Sequence, residues 1–168
     1  MNKKVINIIE YAVIIVAVIL IRTFIITPAR VDGASMEPTL YNNNYVLVNK
    51  LDYTLNGLNR FDIIVIKYNN RKIVKRVIGL PFEYVSYKNN KLYINKKEYK
   101  ESFKKSDISD FNLESIGYLK IPGDKYFVIG DNRENSLDSR SIGLISKEDI
   151  IGKVGIRIYP LNKISTIK

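Results

Sequence analysis

Apolar residues fall into two regimes along the chain: one long run near the N-terminus, then short runs of about five to nine residues punctuated by Asn, Gly and Pro. The long run extends from Val5 to Thr27, VINIIEYAVIIVAVILIRTFIIT. As a helix, these ~23 residues rise about 35 Å and match a bilayer core, which predicts one N-terminal transmembrane helix. Glu10 and Arg22 lie toward its ends, where long polar side chains reach the interface. The uninterrupted part, Tyr11 to Ile21, is short enough that a cleaved secretory signal competes, with Lys3 and Lys4 as its basic start and Thr27-Pro28-Ala29 as its end. Pro28 beside the cleavage point and Arg22 inside the run favour a retained anchor. Lys3 and Lys4 then set the N-terminus on the cytoplasmic side and the remainder outside.

The short runs read as strands. Tyr45–Asn49 is followed by an Asn56-Gly57 turn and then Arg60–Tyr68, rich in β-branched residues. Asn69-Asn70 suits a two-residue turn into Lys72–Gly79, giving a hairpin in which Tyr68 faces Arg71 and Ile64 faces Lys75. Strand alternation then sets Lys75 on a face with Ile73 and Val77, where an ammonium is poorly solvated. Lys67 and Lys72 sit opposite one another near the turn, open to water. From Phe82 to about Lys120 the composition shifts to Tyr, Lys, Asn and Glu, with a hairpin around Asn89-Asn90. This stretch, 82–120, is expected to be an inserted lobe or lid, partly mobile over 101–120. Strand character returns in Lys125–Ile129 and in Gly152–Tyr159. The pattern therefore predicts a mainly β fold: an antiparallel sheet core with a smaller inserted β lobe, residues 29–168, behind a short tail and anchor, residues 1–28.

Composition narrows the chemistry. The chain has 168 residues and no Cys or His. Disulfides, thiolate nucleophiles, imidazole bases and the metal sites built on them are thereby excluded. A formal charge of +10 favours anionic partners, but the basic residues form no block and no nucleic-acid motif is present, so a lipid surface is preferred to nucleic acid. Directly after the anchor, Val31-Asp32-Gly33-Ala34-Ser35-Met36-Glu37-Pro38-Thr39-Leu40 presents Ser35 beside two small residues that leave room for an extended peptide. Without His, a base for Ser35 must be Lys, Asp, Glu or Tyr. Downstream, the polar loop 130–140 carries Asp138 and Arg140 at a spacing suited to a fixed ion pair, and Ser136, whose hydroxyl suits orienting an amine.

Four blocks in this order resemble the bacterial type I signal peptidases, membrane-anchored serine proteases that remove leader peptides from exported proteins. They are Ser35–Leu40; Arg60-Phe61-Asp62-Ile63-Ile64; Lys75-Arg76-Val77-Ile78-Gly79-Leu80-Pro81; and Gly130-Asp131-Asn132-Arg133 through Ser136, Asp138, Ser139 and Arg140. The resemblance implies Ser35 as nucleophile, Lys75 as general base, Ser136 orienting the lysine, Asp138 and Arg140 bracing the site, and Val31, Met36, Leu40 and Ile73 lining pockets for small side chains. It implies no metal or organic cofactor, signal-peptide-bearing preproteins and the bilayer as partners, and no obligate protein partner. Two departures stand out. Gly33 replaces a serine that in some members helps hold the oxyanion, leaving backbone N–H groups, chiefly that of Ser35, to do so. Phe82-Glu83 replaces a frequent Gly-Asp. A lysine acting near neutral pH must have its ordinary pKa of ~10.4 lowered by roughly 2 to 3 units, at about 3 to 4 kcal/mol. The competing readings are a soluble self-cleaving Ser-Lys protease of the repressor type, for which no DNA-binding segment is evident, and a membrane-anchored basic β-domain without catalysis.

Overall fold

The structure, a computed structural model, describes residues 3–167; the expected ends of the anchor tail and of the catalytic unit, at Met1, Asn2 and Lys168, lie outside the described residues. Helix α1 (Lys3–Leu20) runs into a π-helical turn at Ile21–Ile25. Together they are long and apolar enough to cross a membrane, and none of their side chains is buried. The helix stops two residues earlier than its apolarity suggests. Thr27 precedes Pro28, and the residue before a proline is pushed out of the helical region. Ile26 is already extended, with φ −139° and ψ 135°, and opens strand β1 (Ile26–Arg30). The 28/29 boundary expected between anchor and catalytic unit therefore falls inside a strand.

After β1 the chain forms β2 (Tyr45–Asn49), helix α2 (Lys50–Asn56), β3 (Ile63–Tyr68), β4 (Arg71–Gly79), β5 (Val85–Lys88), β6 (Lys91–Ile94), β7 (Lys97–Tyr99) and β8 (Phe111–Asn112). Then follow β9 (Lys125–Ile129), the single-turn helix α3 (Ser139–Ile142), β10 (Ile145–Ser146), β11 (Ile150–Tyr159) and β12 (Ser165–Thr166). The larger sheet has the order β1-β2-β11-β3-β4-β9-β10, with β12 added to β11; the smaller has the order β7-β6-β5-β8. The pairings are antiparallel, so the architecture is mainly antiparallel β. Pro28, which donates no backbone hydrogen bond, is tolerated because β1 is an edge strand.

Both Asn-Asn turns adopt positive φ at each residue, 46° and 60° at Asn69-Asn70 and 49° and 63° at Asn89-Asn90. Asn accepts this left-handed conformation at low cost, and it matches the twist of the flanking strands. The β3–β4 register follows from the turn: Tyr68 pairs with Arg71, Lys67 with Lys72 and Ile64 with Lys75. Strand β3 is buried on both faces. Ile63 and Val65 pack with Val46, Val48, Val74 and Val154, whereas Ile64 and Ile66 pack with Val77, Val128 and Ile150. A third cluster, including Val85, Tyr87, Leu92 and Leu113 from the smaller sheet and Ile78, Phe127 and Ile129 from the larger, joins the two sheets.

Two features escape the hydrophobic pattern. Helix α2 is capped by Asn49, whose Oδ1 accepts from Asp52 N–H at 2.9 Å. It is tied to the sheet by Lys153, which bridges Asp52 and Asp62 at 3.0 and 3.2 Å. Segment 101–120, expected to be partly mobile, is fastened instead: Glu101 pairs with Arg133, Phe103 lies 3.9 Å from the Arg76 guanidinium, and Ile108 and Leu113 are buried.

Candidate active site

Ser35 is presented by a loop whose apolar residues point inward. Val31, Met36 and Leu40 are sealed in the core, so Ser35 between them stays half-buried at the surface. The loop closes on itself through Val31 N–H to Asn44 O at 2.8 Å, Asn43 N–H to Val31 O at 2.9 Å and Leu40 N–H to Met36 O at 2.8 Å. Gly33 has φ +94° and donates its N–H to Asn42 Oδ1 at 3.1 Å. A side chain at this position would be strained, so the turn itself accounts for glycine here.

From the middle of β4, Lys75 extends Nζ to 2.7 Å from Ser35 Oγ and 3.0 Å from Val74 O. Lys75 is 2% exposed. Burial lowers its pKa from 10.5 to about 8, against the opposing pull of the Asp138 and Asp131 carboxylates. The amine thus sits beside the hydroxyl with a large share of its charge preference removed. Lys67 and Lys72, at the open end of the same hairpin, are exposed.

The loop after β9 closes over the pair. Asp138 is fully buried, accepts from Gly130 N–H at 3.1 Å, and is gripped by Arg140 through Nε at 2.9 Å and Nη2 at 2.8 Å. Arg140 Nη2 also donates to Arg133 O at 2.6 Å, so the ion pair fastens both ends of the loop. The Ser136 hydroxyl is buried and has no hydrogen-bond partner among the described residues. It packs so close to Gly130 that a β-carbon there would lie 2.3 Å from its Oγ.

Val31, Met36, Leu40 and Ile73 are not brought together as one pocket lining. The first three share a core cluster, and Ile73, half-buried, packs with a different one alongside Ile64 and Val77. Several residues with no role assigned from sequence are integral to the site. Arg76 and Asp131 form a bidentate pair at 2.8 and 2.7 Å, both fully buried, and Arg76 also donates to Phe61 O at 2.8 Å. Thr39 Oγ1 donates to the same carboxylate, which ties the Ser35 loop to it. Removing one member of such a pair leaves a buried charge uncompensated, typically at about 3–5 kcal/mol. Asn132 donates to Ser35 O and Ala34 O. Arg76, Asp131 and Asn132 stand within the blocks quoted above, and position inside those blocks was their signal.

A sequence profile described as signal peptidase, peptidase S26, matches residues 4–159, nearly the whole chain. The chain belongs to this signal peptidase family. Signal peptidase I P of Bacillus subtilis subsp. natto is 40% identical over 180 aligned residues, covering 99% of this chain and 97% of that protein. Signal peptidase I S of Bacillus subtilis (strain 168) is 42% identical, over 94% and 92%. Signal peptidase IB of Staphylococcus aureus (strain COL) is 38% identical, over 97% and 94%. Among solved structures, a signal peptidase I from Enterococcus faecalis V583 aligns with a TM-score of 0.53 at 36% identity, over 57% of this chain and 95% of that one. Within the signal peptidase frame, the Phe82-Glu83 departure is accommodated. Glu83 accepts from Leu80 N–H at 2.7 Å and holds Arg60 with both carboxylate oxygens at 2.9 and 2.6 Å, while Phe82 takes φ +69°.

Proposed function

We propose that Ser35 is the nucleophile and Lys75 the general base with which this serine endopeptidase cleaves signal peptides from exported preproteins. The observation that carries the assignment is the 2.7 Å approach of a buried Nζ to a half-exposed Oγ. Neutral Lys75 takes the Ser35 proton as Oγ attacks the scissile carbonyl. The resulting oxyanion is met by the Ser35 N–H. Lys75, now an ammonium, returns the proton to the leaving amine, and a water deprotonated by the same lysine releases the acyl group. Val74 O accepts one amine hydrogen, and Ser136 Oγ, buried and unpartnered among the described residues, is the acceptor we assign to another in the reacting site, which turns the nitrogen lone pair toward Ser35. Asp138 and Arg140 brace the loop that carries Ser136. Ile73, beside Lys75 on one strand face, is the apolar residue we assign to substrate contact, with Val31, Met36 and Leu40 backing the nucleophile loop.

Lys3–Ile25 is the segment we assign to the bilayer, with Lys3 and Lys4 on the cytoplasmic side and the catalytic unit, including the smaller sheet as an inserted lobe, outside. Lys50 supports this join: Nζ donates to Thr23 O at 2.9 Å and Arg22 O at 3.4 Å, satisfying carbonyls at the helix end. Preproteins and lipid are the partners in this reading; nucleic acid and an obligate protein partner are not. The test is preprotein cleavage by the detergent-solubilised full chain. Ser35→Ala and Lys75→Ala abolish it, and Lys72→Ala leaves it intact; retained cleavage in Lys75→Ala refutes the assigned base.

A further inference from the structure

The Ser35 loop and the loop after β9 meet at a contact that the proton transfer does not use. Asn132 donates twice across it, from its backbone N–H to Ser35 O at 3.1 Å and from Nδ2 to Ala34 O at 3.2 Å. The far end of its carboxamide is also held, since Oδ1 accepts from Asn135 N–H at 3.3 Å, which orients Nδ2 toward Ala34. The residues on either side of Asn132 are fastened by the inserted segment. Ser106 N–H donates to Asp131 O at 3.0 Å, and Ser106 Oγ accepts from Arg133 N–H at 2.7 Å. The approach is close enough to require glycine: a β-carbon on Gly130 would lie 2.3 Å from Ser35 O.

The two gripped carbonyls belong to the two peptide groups that flank Ser35. A trans peptide is planar with its N–H antiparallel to its C=O. Ala34 O also accepts from Glu37 N–H at 3.1 Å within the loop, so Asn132 supplies the second of two bonds that fix Ala34 C=O and with it the direction of the Ser35 N–H. That N–H donates to nothing among the described residues, and Gly33 offers no side-chain donor beside it. A hydrogen bond accepted by Ala34 O also polarises the shared peptide, strengthening its N–H as a donor.

We propose that Asn132 is a positioning residue that locks the Ser35 peptide plane so that its N–H meets the oxyanion formed during acyl transfer. The proposal rests on Ser35 being the nucleophile. Its test compares Asn132→Ala and Asn132→Asp in the full chain in detergent, with Ser35→Ala alongside. Asn132 is half-exposed, so truncation opens no core cavity. Asp keeps the size and the acceptor for Asn135 but turns an oxygen toward Ala34 O. Loss of one oxyanion donor costs roughly 10²–10³ in kcat, so misaiming it lowers kcat about 10-fold in Asn132→Ala and about 100-fold in Asn132→Asp. KM stays within about twofold, the pH midpoint of the acid limb is unmoved in Asn132→Ala, which adds no charge, and affinity for a peptide boronate, whose serine adduct carries the tetrahedral oxygen, falls in step with kcat/KM. Equal activity of Asn132→Asp and the parent, or a shift of the acid limb in Asn132→Ala, overturns the clamp while an inactive Ser35→Ala leaves the nucleophile assignment standing. Cleavage by Ser35→Ala overturns the assignment beneath it.

Discussion

Replacing Lys75 by Met should stabilise the fold at neutral pH while abolishing activity. The 2%-exposed lysine has its pKa lowered from 10.5 to about 8 by burial. At pH 7 the folded chain must charge an amine that the site disfavours by about 3 kcal/mol relative to the unfolded chain. Met fills the same unbranched volume without charge. It forfeits the bond to Val74 O, whose loss costs about 1 kcal/mol, and that to Ser35 Oγ, which water replaces because Ser35 is half-exposed. The expected net gain is about 1–3 kcal/mol. Its pH dependence has a definite sign. Because the folded pKa lies below the unfolded one, the unfolded chain binds more protons between pH about 8 and 10.5, and parent stability rises through that window. The advantage of Lys75→Met therefore shrinks across the same window, and above it only the cost of about 1 kcal/mol for the lost bond to Val74 O remains, every other titrating group being common to the two proteins. Urea unfolding of both proteins in detergent at pH 7 and pH 10.5 reads the difference directly. A variant less stable than the parent at pH 7, or a difference that does not change with pH, refutes the reasoning.

Two further outcomes follow from the same geometry. With neutral Lys75 as the reactive form, kcat/KM for a signal-peptide substrate rises with pH along an acid limb centred near pH 8, checked by initial rates between pH 5 and 10; a flat profile with folding intact contradicts it. The absence of native cysteine makes the topology directly measurable: in vesicles carrying the native orientation, a membrane-impermeant maleimide labels Leu161→Cys, an exposed position, from the extracytoplasmic side. Labelling only from the cytoplasmic side reverses the assigned orientation.

The position of Lys75 was legible because strand parity is discrete. A one-residue slip would move every side chain to the opposite face, and Asn69-Asn70 sets the register through a conformation that Asn favours. The Asp138–Arg140 pair was legible because its members are two residues apart. Strand β1 was not, since Ile26 and Thr27 are as compatible with a span as with an edge strand, and apolarity alone does not mark where pairing to β2 takes over. Helix α2 is seven residues long, too short for a periodic signal, and its Asn49 cap also suits a turn. The Arg76–Asp131 and Asn132–Ala34 contacts bridge 55 and 98 positions of sequence. They become local only when Arg76 on β4 pairs with Ile129 on β9, which carries the following loop over the Ser35 segment. The low apolar content of 101–120 likewise hid Phe103, whose ring becomes a platform only once the Arg76 guanidinium is buried against it.

Burial makes the Lys75 amine a far readier proton acceptor for Ser35 than an ordinary lysine. Carbon-13 NMR of lysine Cε groups in the full chain, titrated from pH 6 to 12, tests it without reference to turnover. One resonance with a midpoint near pH 8, missing from the Lys75→Met spectrum, is the expected result. A Lys75 resonance whose midpoint stays near 10.5 would contradict it.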